Sequence, residues 1–317
     1  MHIVDPVRVA LPDVSLSVHQ QGEGFPVVLC HGFPELACSW RHQITALAEA
    51  GYRVIAPDMR GYGASDCPAG VEAYGMKQLA GDMVALLDAL DLEKAVFAGH
   101  DWGGFVAWAM PVLHPERTAG VIGVNTPYMP FPSTAFLQAT FQNPEDMYIL
   151  WFQEPGTAEA FMDQHTALIF DKLMRDSERK SDHTPADISA GGQFNPFLNI
   201  VELPEMGAPL LSTAELAYYT AAFQRSGFAS AINWYRNIDA NCANYPTLGF
   251  APLELPCLMV TAERDRALPP VMAQSMPERV SDLEMHMIKG CGHWTQQEKP
   301  EELNRLMLDF LQRCFPS

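Results

Sequence analysis

Short apolar runs alternate with segments of helical periodicity over the first 127 residues of the chain. The runs are rich in β-branched residues and are bounded by glycine or proline, which predicts buried strands. Apolar residues from Met76 to Leu90 recur at helical spacing along one face. Strands and helices that alternate in this way predict a parallel sheet with helices on both faces. The four predicted strands are Val27–His31, Tyr52–Pro57, Ala95–Gly99 and Gly120–Asn125.

The pattern changes between residues 130 and 247, where no strand run occurs. Ser212-Thr-Ala-Glu215 has the form of a capping box, and it predicts a helix that includes Leu216–Phe223. The stretch 176–197 is rich in Asp, Ser, Gly and Pro and predicts a long connection. This part of the chain is therefore expected to be mostly helical.

Strand signals return at Cys257–Thr261 and Leu283–Ile288, and a closing helix is predicted from about 298 to 312. The fold class is therefore α/β, with a mostly parallel sheet flanked by helices and interrupted by a helical insertion. The predicted division is a first core part at 1–129, the insertion at 130–247 and a second core part at 248–317.

Composition and charge narrow the range of partners. Hydrophobic residues make up 48% of the 317 residues and charged residues 18%, which supports a sizeable core and excludes a disordered chain. The net charge of −18 disfavours nucleic acid and anionic membrane surfaces as partners. No apolar run reaches the ~20 residues of a membrane-spanning helix. The first twenty residues lack the apolar core of a signal peptide, so none is expected.

The seven cysteines are scattered and form no C-x-x-C pair. In a chain of this length they predict reduced thiols and a cytoplasmic protein, not a disulfide framework. The ten histidines include no H-E-x-x-H motif and no cluster with cysteine at ligand spacing. The sequence therefore predicts no metal site.

The most informative segment is Gly99-His-Asp-Trp-Gly103, which follows an apolar strand and leads into the helical pattern Phe105–Leu113. This is the form of a nucleophile elbow, in which small residues on either side of the central residue permit a strained turn. The central residue is Asp101, and no G-x-S-x-G occurs in the chain. A carboxylate is poorly suited to acyl transfer, but it can displace a leaving group at an sp³ carbon and form an ester. The alternative interpretation is an aspartate that caps a helix after a glycine-rich turn.

Two further residues complete a candidate triad. His293 follows the last predicted strand, and Asp265 follows the strand before it. The order nucleophile, acid, histidine is that of the α/β-hydrolase arrangement. Glu263 is a competing acid, but Asp265 stands further beyond the strand end. An acid could also stand at the end of the predicted strand Gly120–Asn125, but that position carries Asn125 and Thr126 instead.

The loop His31-Gly-Phe-Pro-Glu35 follows the first predicted parallel strand. In hydrolases of this form, that loop supplies one backbone N–H to an oxyanion hole, and the residue after the nucleophile supplies the second. These groups are the amides of Phe33 and Trp102. The alternative is an ordinary strand-to-loop turn.

The chain resembles the α/β-hydrolase-fold epoxide hydrolases of the soluble type over nearly its whole length. The motifs that carry the resemblance are His31-Gly-Phe-Pro-Glu35, Asp58-Met-Arg-Gly-Tyr-Gly-Ala-Ser65, Gly99-His-Asp-Trp-Gly-Gly104, Gly292-His-Trp-Thr-Gln296, Tyr148-Ile-Leu-Trp-Phe-Gln-Glu-Pro-Gly156 and Ser226-Gly-Phe-Ala-Ser-Ala-Ile-Asn-Trp-Tyr-Arg-Asn237.

The resemblance implies that the insertion is a helical cap and that two of its tyrosines, Tyr148 and Tyr235, hydrogen-bond the epoxide oxygen. A phenol suits that role because it stays protonated at neutral pH and can donate to an incipient alkoxide. The alternative for either residue is a core aromatic with a satisfied hydroxyl, which is the interpretation adopted for Tyr218 and Tyr219.

Residues around these groups receive supporting roles in the same hypothesis. His31 and His100 are expected to orient loops, and Glu35 to hold water near His293. The rings of Phe33, Trp102 and Trp151 are expected to line an apolar pocket.

The predicted activity is therefore hydrolysis of a small apolar epoxide by water, with no cofactor. A dehalogenase is the first alternative, because it uses the same aspartate nucleophile and an indole N–H such as that of Trp102 can bind halide. Haloalkane dehalogenases, however, usually pair this donor with another, often an Asn where Phe33 stands, and fluoroacetate dehalogenases usually carry Arg where Trp102 stands. A non-catalytic receptor that kept the pocket is a second alternative, although a binding pocket does not need Asp265 and His293. The sequence leaves the oligomeric state open.

Overall fold

The protein is described by a computed structural model over residues 4–177, 194–205 and 207–316. Eight strands in these ranges form one sheet, in the order β1-β2-β4-β3-β5-β6-β7-β8. The strands are β1 (Val7–Ala10), β2 (Ser15–Gln21), β3 (Pro26–Cys30), β4 (Arg53–Pro57), β5 (Ala95–His100), β6 (Thr118–Val124), β7 (Cys257–Ala262) and β8 (Leu283–Ile288).

All neighbouring pairs from β4 to β8 are parallel, and they include all six strands predicted from the sequence. The α/β prediction is confirmed. Because the strands are parallel, their carboxyl ends meet at one edge of the sheet, where ligand sites of open α/β sheets form. The loops that follow β3, β5, β6, β7 and β8 all start at that edge.

The sequence analysis missed β1 and β2, which add an antiparallel edge to the sheet. In β2, Leu16 and Val18 alternate with the polar residues Ser15, Ser17 and His19, of which Ser17 and His19 are buried as well. In β1, most residues are exposed. The alternation in β2 is itself a strand signal, but the strands predicted from the sequence were identified by continuous apolar runs, which β1 and β2 lack.

Helices cover both faces of the sheet and fill the connection between β6 and β7. The helices of the core are α1 (Arg41–Glu49), α2 (Met76–Ala89), α3 (Trp102–Leu113), α11 (Thr295–Glu298) and α12 (Pro300–Cys314). Between β6 and β7 lie α4 (Thr134–Thr140), α5 (Tyr148–Trp151), α6 (Thr157–Gln164), α7 (Thr166–Leu173), α8 (Thr213–Ser226), α9 (Ala229–Arg236) and α10 (Ile238–Asn244). None of the helices in the described ranges is long and apolar enough to cross a membrane.

Local signals placed two of these helices correctly. The capping box at the start of α8 is formed, since the Ser212 amide donates to the Glu215 carboxylate at 2.8 Å and the Glu215 amide donates to Ser212 Oγ at 3.3 Å. The closing helix is α12, and the short α11 precedes it. Most of the connection predicted at 176–197 lies outside the described residues.

Side chains of successive strand residues enter two separate hydrophobic cores. On β3, Val28 packs in one core, while Val27 and Leu29 pack in the other. The Val27 side of the sheet is covered by α1 and α12. The Val28 side is covered by α2 and α3, and its core continues without interruption into the helices between β6 and β7. The carboxyl edge of the sheet is therefore enclosed between the strands and these helices.

Candidate active site

Asp101 occupies the strained turn between β5 and α3, with φ of +49° and ψ of −121°. This positive φ is unfavourable for a residue other than glycine. The turn is possible because the residues two positions before and after Asp101 are glycines. A Cβ on Gly99 would lie 2.1 Å from the Gly103 carbonyl oxygen, and one on Gly103 would lie 2.0 Å from the Cys30 carbonyl oxygen. Thr126 Oγ also donates to the Asp101 carbonyl oxygen at 2.8 Å, so the turn is held from a second strand end.

Asp101 is 8% exposed as a residue, and its carboxylate lies at the amino end of α3, where the helix dipole favours negative charge. The Phe33 amide donates to its Oδ1 at 2.8 Å. A Cβ on Gly32 would lie 2.4 Å from the Asp101 Cβ. The loop after β3 therefore approaches the carboxylate closely enough to bind an oxygen of Asp101 through its backbone. Trp102 follows directly as the first residue of α3.

His293 lies between two aspartates. Its Nδ1 is 2.9 Å from Asp265 Oδ2, and its Nε2 is 3.9 Å from Asp101 Oδ2. The Oδ1 of Asp265 accepts hydrogen bonds from the amides of Ala267 and Leu268 at 2.8 and 3.0 Å. The structure thus brings the three residues of the predicted triad together, with the histidine in the central position.

Electrostatics in this group stabilise the charged forms of Asp265 and His293. Burial raises the pKa of Asp265, but the charge and hydrogen bond of His293 outweigh it and lower the pKa to about 2. Burial lowers the pKa of His293, but the Asp265 carboxylate, helped by Asp101, raises it to about 9. Each residue thus favours the charged form of the other at neutral pH.

The structure separates Asp265 from its competitor Glu263. Glu263 accepts a hydrogen bond from the Gly290 amide at 2.8 Å in an exposed position, whereas Asp265 is buried against His293. The end of β6, which carries no acid, also contributes to the site. There, Asn125 Nδ2 donates to Asp265 Oδ2 at 2.6 Å.

Tyr148 and Tyr235 come together from two different helices, α5 and α9. Their ring centres are 5.7 Å apart, and the Tyr235 ring lies 5.1 Å from Trp102 and 5.2 Å from Phe33. Burial raises the pKa of both phenols, and the negative charge of Asp101 raises each further. Both hydroxyls therefore stay protonated beside the aspartate. Tyr219 is instead buried against Phe170.

An aromatic cluster surrounds the two tyrosines. The Phe33 ring contacts the rings of Phe152 and Phe197, and Phe152 also contacts Tyr148 and Tyr235. The ring contacts of Trp151 are with Phe152 and Phe161. Phe152 thus lies between Trp151 and the tyrosines. The sequence analysis missed Phe152, because an apolar run such as Ile149–Phe152 does not indicate which side of a single helical turn faces a site.

Glu35 and His100 form a buried pair next to His293. His100 Nδ1 is 2.7 Å from Glu35 Oε2, and its Nε2 is 2.7 Å from the carbonyl oxygen of His293. Gln296 Nε2 donates to Glu35 Oε1 at 2.6 Å. Burial raises the pKa of Glu35, but the charge and hydrogen bond of His100 lower it below its ordinary value. His100 therefore connects the loop after β3 to the backbone of the triad histidine.

His31 holds a neighbouring loop. Its Nε2 accepts a hydrogen bond from the Met59 amide at 2.9 Å, and its Nδ1 donates to the Gly32 carbonyl at 2.9 Å. Burial lowers the pKa of this histidine, which agrees with a neutral ring that has one donor and one acceptor.

Comparisons with known proteins place this site in context. Residues 26–300 match the model of the alpha/beta hydrolase fold family. Epoxide hydrolase A of Mycobacterium tuberculosis is 40% identical over 311 residues, which cover 94% of each chain. Bifunctional epoxide hydrolase 2 of Sus scrofa is 41% identical over 302 residues. The chain spans about half of that mammalian relative, 54% of its length.

Solved structures give the same result in three dimensions. Epoxide hydrolase A from Mycobacterium thermoresistibile superposes with a TM-score of 0.87 at 39% identity, over 97% of this chain and 98% of the other. An epoxide hydrolase from an endophytic Streptomyces superposes with a TM-score of 0.87 at 34% identity, over 98% and 95% of the two chains.

Proposed function

Because the chain belongs to the alpha/beta hydrolase fold family and, within it, to the epoxide hydrolases, we propose that it hydrolyses epoxides to vicinal diols. The observation that carries this proposal is a carboxylate, not a hydroxyl, at the elbow, with the rings of Tyr148 and Tyr235 in contact with each other and Tyr235 in contact with Phe33, whose amide binds that carboxylate. A carboxylate can open a three-membered ring, and phenols can donate to the oxygen that leaves.

In the first step, an Asp101 carboxylate oxygen attacks one epoxide carbon, and the bond from that carbon to the epoxide oxygen breaks. Negative charge develops on this oxygen; one of the two phenols, Tyr148 or Tyr235, transfers its proton to it, and the other donates a hydrogen bond. The raised pKa of both phenols supports this role, because a phenolate could not donate. The product is an ester that joins Asp101 to the β-hydroxyalkyl group.

In the second step, His293 acts as the base. Esterification removes the charge of Asp101, which is one of the causes of the raised pKa of His293. The pKa therefore falls when the ester forms, and His293 releases its proton, which replaces the one that the phenol transferred. The neutral imidazole can then take a proton from water. The resulting hydroxide adds to the ester carbonyl carbon, and the amides of Phe33 and Trp102 hold the oxyanion. In its collapse the bond from the carbonyl carbon to the alkyl oxygen breaks, this oxygen takes a proton through His293, and the diol and the Asp101 carboxylate are released.

We propose that residues 130–247, which contain the helices between β6 and β7, form a cap over the active site. The reason is that Tyr148 and Tyr235 both belong to this segment. The rings of Phe33, Trp102 and Phe152 support an uncharged, apolar epoxide as substrate. Trp151, one layer behind Phe152, supports the cluster. The seven free thiols, of which Cys67 is exposed, support a cytoplasmic location.

A dehalogenase would use the same ester but would leave the paired phenols without a role. A receptor would not need the Asp265–His293 pair. Purified protein should therefore be incubated in parallel with styrene oxide and with 1-bromobutane, with assays for diol and bromide. We expect diol from the epoxide, lost in Asp101→Ala. Bromide without diol would favour the dehalogenase. The absence of both diol and bromide would contradict both enzyme activities.

A further inference from the structure

Asn125 is a buried amide at the end of β6, next to the triad but outside it. Its backbone is in the left-handed region, with φ of +63°, and the residue is 1% exposed. We propose that Asn125 is a positioning residue for the hydrolytic step, in that it holds Asp265 and the backbone of His293 in one geometry. This inference rests on the proposed function.

The side-chain nitrogen of Asn125 faces only acceptors. It lies 2.6 Å from Asp265 Oδ2, 3.2 Å from the His293 carbonyl oxygen and 3.4 Å from the Gly292 carbonyl oxygen. The amide therefore cannot be reversed, because an oxygen in that place would meet three other acceptors. One hydrogen binds the triad acid and the other binds the histidine loop.

A hydrogen bond to the side-chain oxygen of Asn125 holds the same side-chain amide from the opposite side. Thr295 Oγ donates to Asn125 Oδ1 at 2.7 Å, and Thr295 begins the helix α11 that follows His293. The backbone N–H of Asn125 donates to the Val260 carbonyl oxygen at 2.8 Å. Asn125 consequently ties together the carboxyl ends of three strands, β6, β7 and β8.

The contact with Asp265 is made at the atom that also holds the histidine. Asp265 Oδ2 accepts from both Asn125 Nδ2 and His293 Nδ1, while Oδ1 accepts from two amides. Without Asn125, Oδ2 keeps only the imidazole as a partner, and the His293 carbonyl keeps His100. The imidazole plane is then held less firmly toward the ester.

This arrangement predicts an effect on one chemical step. His293 is the base only in hydrolysis, whereas the first step depends on Asp101, Tyr148 and Tyr235. Loss of the Asn125 side chain should slow ester hydrolysis by about 10- to 100-fold, the effect of one hydrogen bond to a charged group. Ring opening should change by less than about twofold, so the ester accumulates.

Asn125→Gly is the suitable deletion, because glycine accepts the positive φ without strain. Single-turnover reactions, quenched and analysed by intact mass, give the rates of ester formation and decay. Asn241→Ala is the matched control. Asn241 is also a buried amide, but it accepts from the Met76 amide at the start of α2, so its loss should leave the ratio of the two rates unchanged.

Asn125→Asp provides a second test that does not depend on how well the glycine variant folds. The new carboxyl would face Asp265 Oδ2 and two carbonyl oxygens, so it must hold a proton to keep the contact. The charged groups that face His293 are Asp265, Asp101 and Glu35, with the His100 ring 4.7 Å away. In the ester, where Asp101 is uncharged, a carboxylate at position 125 would add to the negative charges of Asp265 and Glu35 and stabilise imidazolium. Ester decay in Asn125→Asp should therefore slow relative to wild type as pH rises and this proton is lost.

Slower ester decay in Asn125→Gly, together with the altered pH profile of Asn125→Asp, would support the inference. Wild-type decay rates and pH profile in a folded variant would overturn it, as would a change confined to ring opening. The proposed function is tested separately by diol formation in the wild-type protein, so failure of one is distinguishable from failure of the other.

Discussion

His293 Nε2 lies 3.9 Å from Asp101 Oδ2, while its Nδ1 lies 2.9 Å from Asp265 Oδ2. The first distance is too long for a hydrogen bond, and the second is an ordinary one. The imidazole is thus fixed by the acid at one end and faces the elbow carboxylate at the other. A base that must act on the carbonyl carbon of an Asp101 ester, through a water molecule, needs this separation.

The activity should depend on pH through His293, with different pKa values in the two states of the enzyme. Burial lowers the pKa of the free-enzyme imidazole, but Asp265 and Asp101 raise it to about 9. Esterification neutralises Asp101, so the pKa in the ester should be lower. Histidine NMR titration of the free protein should give the higher value, and single-turnover ester decay should fall on the acid side at the lower one.

Equal values in the two states would show that Asp101 does not carry the ester. Ester decay that stayed constant down to about pH 4, well below the ordinary histidine pKa, would exclude a histidine base.

The two tyrosines should share one function. Tyr148→Phe and Tyr235→Phe should each slow ring opening by about 30- to 1000-fold, since the loss of a hydrogen bond to a developing anion costs about 2–4 kcal/mol. Each single variant keeps one donor and some activity, and the double variant should have almost none. Stopped-flow ester formation measures these rates. Tyr219→Phe, which changes a buried phenol packed on Phe170, is the control. A double variant that opens epoxides at the wild-type rate would refute the role of both residues.

Gly32 should be intolerant of even one added carbon. In Gly32→Ala, the Cβ would lie 2.4 Å from the Asp101 Cβ and 2.7 Å from its Oδ1. The loop must move, and with it the Phe33 amide that binds the carboxylate, so turnover should fall at least about tenfold. Gly81→Ala is the matched control, because a Cβ there meets nothing within 4 Å. It should keep full activity and be more stable by about 0.5–1 kcal/mol. Normal turnover in Gly32→Ala would contradict the close approach.

The sequence was sufficient for the parallel part of the sheet, because its strands carry apolar runs bounded by glycine or proline. It was also sufficient to propose Asp101, Asp265 and His293, since the elbow glycines and the strand ends are local signals. The antiparallel strands escaped prediction because they carry a short alternation of apolar and polar residues, such as Leu16-Ser17-Val18, and not the continuous apolar runs that identified the other strands.

Contacts between segments that are far apart in the chain could not be predicted from the sequence pattern. Asn125 and Asp265 are 140 positions apart, and Glu35 and Gln296 are 261 apart. Nothing near Asn125 in the chain indicates that its amide will meet a carboxylate. The only available signal was its place at the end of a predicted strand, which identified the position as a possible acid site but not as a donor.

The most direct test of the account is the origin of the oxygen in the first diol. If Asp101 is the nucleophile, the oxygen added to the substrate comes from its carboxylate, and solvent only replaces that oxygen afterwards. A single turnover with excess enzyme in ¹⁸O-water should give mostly unlabelled diol and place ¹⁸O in the peptide that contains Asp101. His293→Ala should accumulate an adduct of one substrate on the same peptide, and Asp101→Ala should form none. Labelled diol from the first turnover, with no trapped adduct, would contradict the covalent mechanism.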